Sequence, residues 1–98
     1  MVLNSGIKNN VLEALIALAQ KHGIESLILF GSRARGDYHT TSDIDLAVRG
    51  GNVVRFSLDA EDETPTLLKF DIIDLDGAVL QELREAIETE GIIIYEKI

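Results

Sequence analysis

Three short stretches of the chain hold residues whose types and spacing could do chemistry. The first is Leu29-Phe30-Gly31-Ser32, followed at once by Arg33 and Arg35. Glycine lets a backbone approach a phosphate with no Cβ in the way. Amides at a helix start lack intrahelical acceptors and favour an anion, and Ser32 adds a hydroxyl. Gly-Ser also serves as an ordinary strand-to-helix turn, and the Gly-Lys-Ser/Thr ending of a P-loop is absent. Arg33 and Arg35 are either partners for phosphate charge or solvated loop residues. The second stretch is Asp43-Ile44-Asp45. Residues two apart on a strand share a face, so the two carboxylates stand side by side. Such a pair repels itself and raises a pKa unless a cation lies between. An oxygen-only donor set suits a hard cation, Mg²⁺ or Mn²⁺. A solvated strand face is the plainer alternative, although aspartate is disfavoured in strands. The third stretch is Lys69 to Asp74, in which Asp71 and Asp74 have opposite parity. Only one of them can share the face of Asp43 and Asp45. Asp71 lies among apolar residues, where a carboxylate needs a partner, and is preferred as the third metal ligand. The alternative for Asp71 is a salt bridge to Lys69 or an arginine.

These residues need elements to position them, and the hydrophobic spacing supplies a set. Ile7, Val11, Leu12, Leu15, Leu18 and Ala19 recur at helical intervals. They predict a helix over 5–22, capped by Asn4 or Ser5 and stopped at Gly23. A strand over 26–30 runs into the Gly31 turn, residues 32–35 suit a brief helix, and 36–42 form a polar loop. A strand over 43–49 puts Ile44, Leu46 and Val48 on one face. Asn52 caps a second helix to about residue 63, with Val54, Leu58 and Glu61 in register, although 53–58 also suits a strand. Thr64-Pro65 ends that element. A third strand is centred on 70–73. A helix over 79–90 turns Leu80, Leu83 and Ile87 inward with Gly91 as its C-terminal cap, and 92–95 is a final strand. The order implies an α/β (α+β) fold, a small mixed β-sheet with helices packed on one face and chemistry at the open face or strand ends.

Composition narrows the function classes. The 98 residues read as one domain, 1–98, with a modest core. The absence of cysteine excludes disulfides and thiolate metal sites. The longest apolar run, residues 14–19, is far too short to span a bilayer, and the N-terminus lacks the order of a signal peptide. A cytoplasmic protein with no membrane partner is expected. A net charge of −8 disfavours direct nucleic-acid binding. His22, His39 and Tyr38 read as solvated, Glu82, Glu85, Glu88 and Glu90 as a solvated helix face, and Phe30, Phe56 and Phe70 as core.

Taken together, Gly31-Ser32-Arg33-Ala34-Arg35-Gly36 and Thr41-Ser42-Asp43-Ile44-Asp45-Leu46 resemble the signature of the DNA polymerase beta-like nucleotidyltransferase superfamily. In so short a chain the resemblance is to its minimal nucleotidyltransferase (MNT) group, and it extends to the closing Gly91 to Tyr95. The resemblance implies the polymerase beta-like fold. It implies that Gly31 and Ser32 hold the triphosphate of ATP or another nucleoside triphosphate, with Arg33 or Arg35 beside them. It implies that Asp43 and Asp45 bind two Mg²⁺ ions and that Asp71 completes the site and helps activate the attacking hydroxyl. Members of the group are typically paired with a helical HEPN-class toxin, and some transfer AMP to a toxin tyrosine. By that likeness the chain is an antitoxin and protein adenylyltransferase, able to form an oligomer with itself or its partner. Two competing readings differ in what they require. A non-catalytic antitoxin would neutralise the HEPN partner by occlusion alone. A sugar-nucleotide transferase would need a larger donor-binding domain than 98 residues allow.

Overall fold

Eight elements follow one another in the computed structural model, which describes residues 4–98. They are α1 (Asn9–Lys21), β1 (Ser26–Phe30), α2 (Ser32–Arg35), β2 (Ile44–Arg49), α3 (Val53–Glu63), β3 (Phe70–Asp74), α4 (Gln81–Glu90) and β4 (Ile92–Glu96). The four strands form one sheet in the order β3-β2-β1-β4. β1 runs antiparallel to both neighbours, β2 and β4, while β2 and β3 are parallel. The α3 crossover supplies the length that a parallel pair needs. The fold is therefore the expected mixed α+β sheet.

Strict alternation along the strands separates two cores. Leu27 and Leu29 of β1, Ile44, Leu46 and Val48 of β2 and Ile94 of β4 meet Leu15, Ala19, Phe56 and Ala60 of α1 and α3. The opposite parity puts Phe30, Ala47 and Ile73 against Leu75 and Ile87. The expectation of helices on one face holds for α1 and α3, and α4 covers part of the other. Among the described residues no helix is long and apolar enough to cross a membrane.

Several local expectations are corrected. α1 starts at Asn9 rather than near residue 5, after an extended Lys8 that makes no side-chain cap bond. Ser5 is instead buried, its hydroxyl accepting from the Ile7 amide. Asn52 does cap α3, its Oδ1 accepting from the Arg55 amide at 3.1 Å. The inward stripe of α3 is Phe56 and Ala60, however, while Val54 and Leu58 point out, 73% and 52% exposed. Leu80 is extended backbone ahead of α4 and exposed, so Leu83 and Ile87 alone turn inward. Gly91 is extended too, with φ −66°. It is the C-cap of α4 as expected, its amide donating to the Ile87 carbonyl at 2.8 Å, but in extended rather than left-handed backbone, and a Cβ there would strike that carbonyl and the Ile28 side chain. His22 is not solvated: its ring bonds Asp59 at 2.7 Å and ties the end of α1 to α3.

Candidate active site

The β1-β2-β3 register brings the separate stretches together. Phe30 lies opposite Asp45, and Asp45 lies opposite Asp71. Both aspartates share the parity of Ala47 and Ile73, so they stand on the α4 face of the sheet. They occupy the end that α4 leaves open, where Asp71 is exposed and Asp45 half-buried. Asp74 closes β3 opposite Val48, and its Oδ1 accepts from the Asp76 amide at 2.9 Å. It ends the strand and supports the turn that follows, and Asp71 is the acid beside Asp45. None of the ion pairs among the described residues involves Asp71.

Gly31 directly follows the strand residue that pairs with Asp45. Its φ of 74° and ψ of −156° belong to a region open essentially to glycine alone. A Cβ built on it would run into the Asp45 carboxylate. Glycine is thus required twice, for the backbone angle and for the approach of the turn to the acid. The carbonyl of Gly31 accepts from the Ala34 and Arg35 amides at 3.1 and 3.0 Å, closing α2. The Ser32 and Arg33 amides, first in that helix, have no intrahelical acceptor. This leaves donors and a hydroxyl at the edge of the acidic face.

The electrostatics are those of a site short of positive charge. Burial pushes the Asp45 carboxyl above the usual aspartate range, and Asp71 and then Asp43 push it further. Arg35 and Arg33 oppose the shift without reversing it. A hard divalent cation fits this donor set by relieving the repulsion. Among the described residues no three acidic or imidazole side chains gather into a closed metal-holding cluster. Like charges with no counter-ion among them have no force drawing them together. A cleft of about 520 Å³ opens beside Asp43 and Asp71, walled by Glu61 and by Thr66 to Phe70. That wall went unrecognised in the sequence, where Leu67-Leu68 after Pro65 reads as ordinary strand lead-in.

The two arginines part company. Arg35 is solvent-facing, with Nε 3.2 Å from Asp37 and Nη1 3.2 Å from Glu90. These exposed bonds are readily exchanged for phosphate oxygens. Arg33 is 2% exposed, and its guanidinium is engaged by backbone carbonyls at Ser5, His39, Thr40 and Ser42. It is thereby withdrawn from the expected phosphate-binding set. Tyr38 lies beneath it, the ring centroid 4.9 Å from the guanidinium carbon, and is not a solvated loop residue. His39 is exposed as expected.

Comparison with known proteins bears on the family and the fold. The sequence profile described as "Polymerase beta, Nucleotidyltransferase" matches residues 13–98. No curated protein sequence matches the chain. Among solved structures, a toxin-antitoxin with AMP-PNP superposes with a TM-score of 0.72 at 22% identity, covering 88% of this chain and 73% of that one. A mutant of the MntA-HpeT toxin-antitoxin gives 0.71 at 20% identity with the same coverage. At these identities the likeness is one of fold. A proposed minimal nucleotidyltransferase is 32% identical over 83% of this chain and 86% of its own, with a TM-score of 0.65.

Proposed function

Starting from a chain that belongs to the polymerase beta nucleotidyltransferase family, we propose that it transfers AMP from ATP to a hydroxyl of a protein acceptor. The observation that carries this reading is the pairing of Asp45 with Asp71 directly against the Gly31 turn. It puts acids and free amides at one open edge of the sheet. Asp43, Asp45 and Asp71 are the residues to hold Mg²⁺, as two ions, with Mn²⁺ as a substitute. Metal bound there supplies charge stabilisation to the attacking and leaving oxygens.

The chain's own groups do the rest. The Ser32 and Arg33 amides and the Ser32 hydroxyl hold the β- and γ-phosphates, and Arg35 leaves its surface partners to neutralise them. The acceptor enters through the cleft beside Asp43 and Asp71. Its hydroxyl oxygen forms a bond to the α-phosphorus while the bond from that phosphorus to the bridging oxygen breaks, releasing pyrophosphate. Asp71 takes the hydroxyl proton. The acceptor proposed is a helical HEPN-class toxin, met in the cytoplasm in a hetero-oligomer and neutralised by the modification. Support comes from the toxin-antitoxin structures that share the fold, one of them determined with AMP-PNP.

The test is mass spectrometry of a HEPN-class partner after incubation with this protein, ATP and Mg²⁺. The expected result is a gain of one AMP residue, lost in the Asp43→Asn, Asp45→Asn double variant. Inhibition of the partner with no mass gain would overturn transfer in favour of occlusion. A mass gain that persists in the double variant would sink the assignment of the carboxylates.

A further inference from the structure

Arg33 is the only buried charged residue among the described residues, and its partners include no carboxylate. A buried guanidinium is unfavourable unless every donor finds an acceptor. Backbone carbonyls provide them. Nε and Nη2 both donate to the Ser42 carbonyl, at 3.1 and 2.9 Å. Nη2 also reaches the carbonyls of Thr40 at 3.2 Å and His39 at 3.4 Å. Nη1 donates to the Ser5 carbonyl at 2.8 Å. Tyr38 offers its ring face to the cation.

The position of this fork in the chain gives it a consequence. Arg33 follows Ser32 of the phosphate turn, and the carbonyl it holds twice belongs to Ser42, the residue before Asp43. The gripped loop is also bonded to itself: the His39 amide donates to Ser42 Oγ at 2.8 Å, and the Ser42 amide to the His39 carbonyl at 3.0 Å. It is therefore tied both to itself and to the guanidinium. Gly6 closes the far side, where a Cβ would collide with the Tyr38 ring and with Arg33 Nη1.

We propose that Arg33 is a positioning residue that couples the phosphate turn to the metal-holding carboxylates by fixing the 38–42 loop and, through it, Asp43. Its side chain touches neither phosphate nor metal. The proposal rests on the reading that Asp43, Asp45 and Asp71 hold a divalent cation. Arginine is required because a planar fork serves several carbonyls at once, which the single ammonium of lysine does not.

The test compares the wild-type protein with Arg33→Lys, without nucleotide, by Mn²⁺ titration under electron paramagnetic resonance and by hydrogen exchange at the His39 and Ser42 amides. The Lys variant is expected to bind Mn²⁺ about tenfold more weakly, the scale of lost outer-shell support at a metal site. Loop exchange should quicken while exchange in β1 is unchanged. Unchanged Mn²⁺ affinity overturns the proposal, whether loop exchange is altered or not. So does weakened ATP binding with Mn²⁺ affinity intact, which would return Arg33 to the phosphates. If the wild type binds no Mn²⁺, the metal reading itself fails, and unchanged loop exchange in Arg33→Lys would then overturn the clamp separately. Should Arg33→Lys not fold, Tyr38→Leu removes the ring and leaves the hydrogen-bonding groups. It should shift both readouts in the same direction, and its failure to shift either one is equally decisive.

Discussion

The two faces of the sheet are built on opposite terms. Beneath α1 and α3, Leu27, Leu29, Ile44, Leu46 and Val48 are each fully buried in one continuous apolar layer. On the other face α4 brings Ile87 over Phe30 and Ala47 but leaves the near ends of β2 and β3 uncovered. There Asp45 and Asp71 repel each other, and among the described residues no ion pair includes either. One face holds the molecule together, and the other keeps charge in an environment that disfavours it. A one-residue slip of β2 would exchange the two sets. The buried layer therefore fixes the register on which the acidic edge depends.

The comparison is broken most severely at Asp45. Asp45→Asn should lower AMP transfer by about 10²–10³-fold, on the scale of losing one preorganised electrostatic group, read as pyrophosphate release. Its stability should move the other way. The folded pKa of Asp45 is raised above its unfolded value, so its contribution is fully present below about pH 3.9 and lost as pH rises through the folded pKa. At neutral pH in metal-free buffer Asp45→Asn should melt higher than the wild type. Adding Mg²⁺ should raise the melting temperature of the wild type only. A lower melting point for the variant in chelator would contradict the repulsion inferred here.

On the apolar face the signs reverse. Phe56→Ala should destabilise by about 3–5 kcal/mol, as expected for a buried aromatic, measured by urea unfolding, and should leave Mn²⁺ affinity unchanged wherever the protein is folded. Gly31→Ala tests the junction. Strain of about 1–3 kcal/mol at a glycine-only backbone angle combines with displacement of Asp45, so stability and transfer should fall together. A variant of normal activity would show that the turn does not press on the acid. The smallest effects belong to the surface. Leu58→Ala, on the outward stripe of α3, should stay within about 0.5 kcal/mol. Asp59→Asn should be slightly less stable than the wild type near neutral pH and level with it in acid. The His22 hydrogen bond holds the Asp59 carboxyl below its ordinary range, so that stabilisation is present above the unfolded pKa and lost as pH falls through the folded one. The variant should therefore lose less of its melting temperature on acidification than the wild type.

Much of this was readable from residue order. The element order follows from hydrophobic period, the Asn52 cap and the glycine and proline breaks, although residues 53–58 suit a strand as well as the helix that forms there. Parity puts Asp71 and Asp74 on opposite faces, because strand side chains alternate strictly, but it does not say which of them meets Asp45. Periodicity does less well on α3. Val54 and Leu58 repeat at the same interval as Phe56 and Ala60, and spacing marks a stripe without saying which stripe meets the sheet. The ring of His22 finds Asp59 at a separation of 37 residues, beyond the range of any local rule.

The chain's own order of residues determined the element sequence, the polarity of each strand face and the acidic pairs that could meet. Those properties depend on neighbours within a few positions, where backbone geometry is repetitive. Tertiary structure alone decided which acids became neighbours in space, that α4 would stop short of them, and that the Arg33 side chain would turn away from the Gly31 turn. Arg33 and Arg35 look alike in sequence, two residues apart beside the same glycine. They differ because the Arg33 side chain finds carbonyls from residues 5, 39, 40 and 42 within reach, while the Arg35 side chain meets only exposed carboxylates at the surface. Burial makes the first set of bonds costly to exchange, and water makes the second set easy to give up.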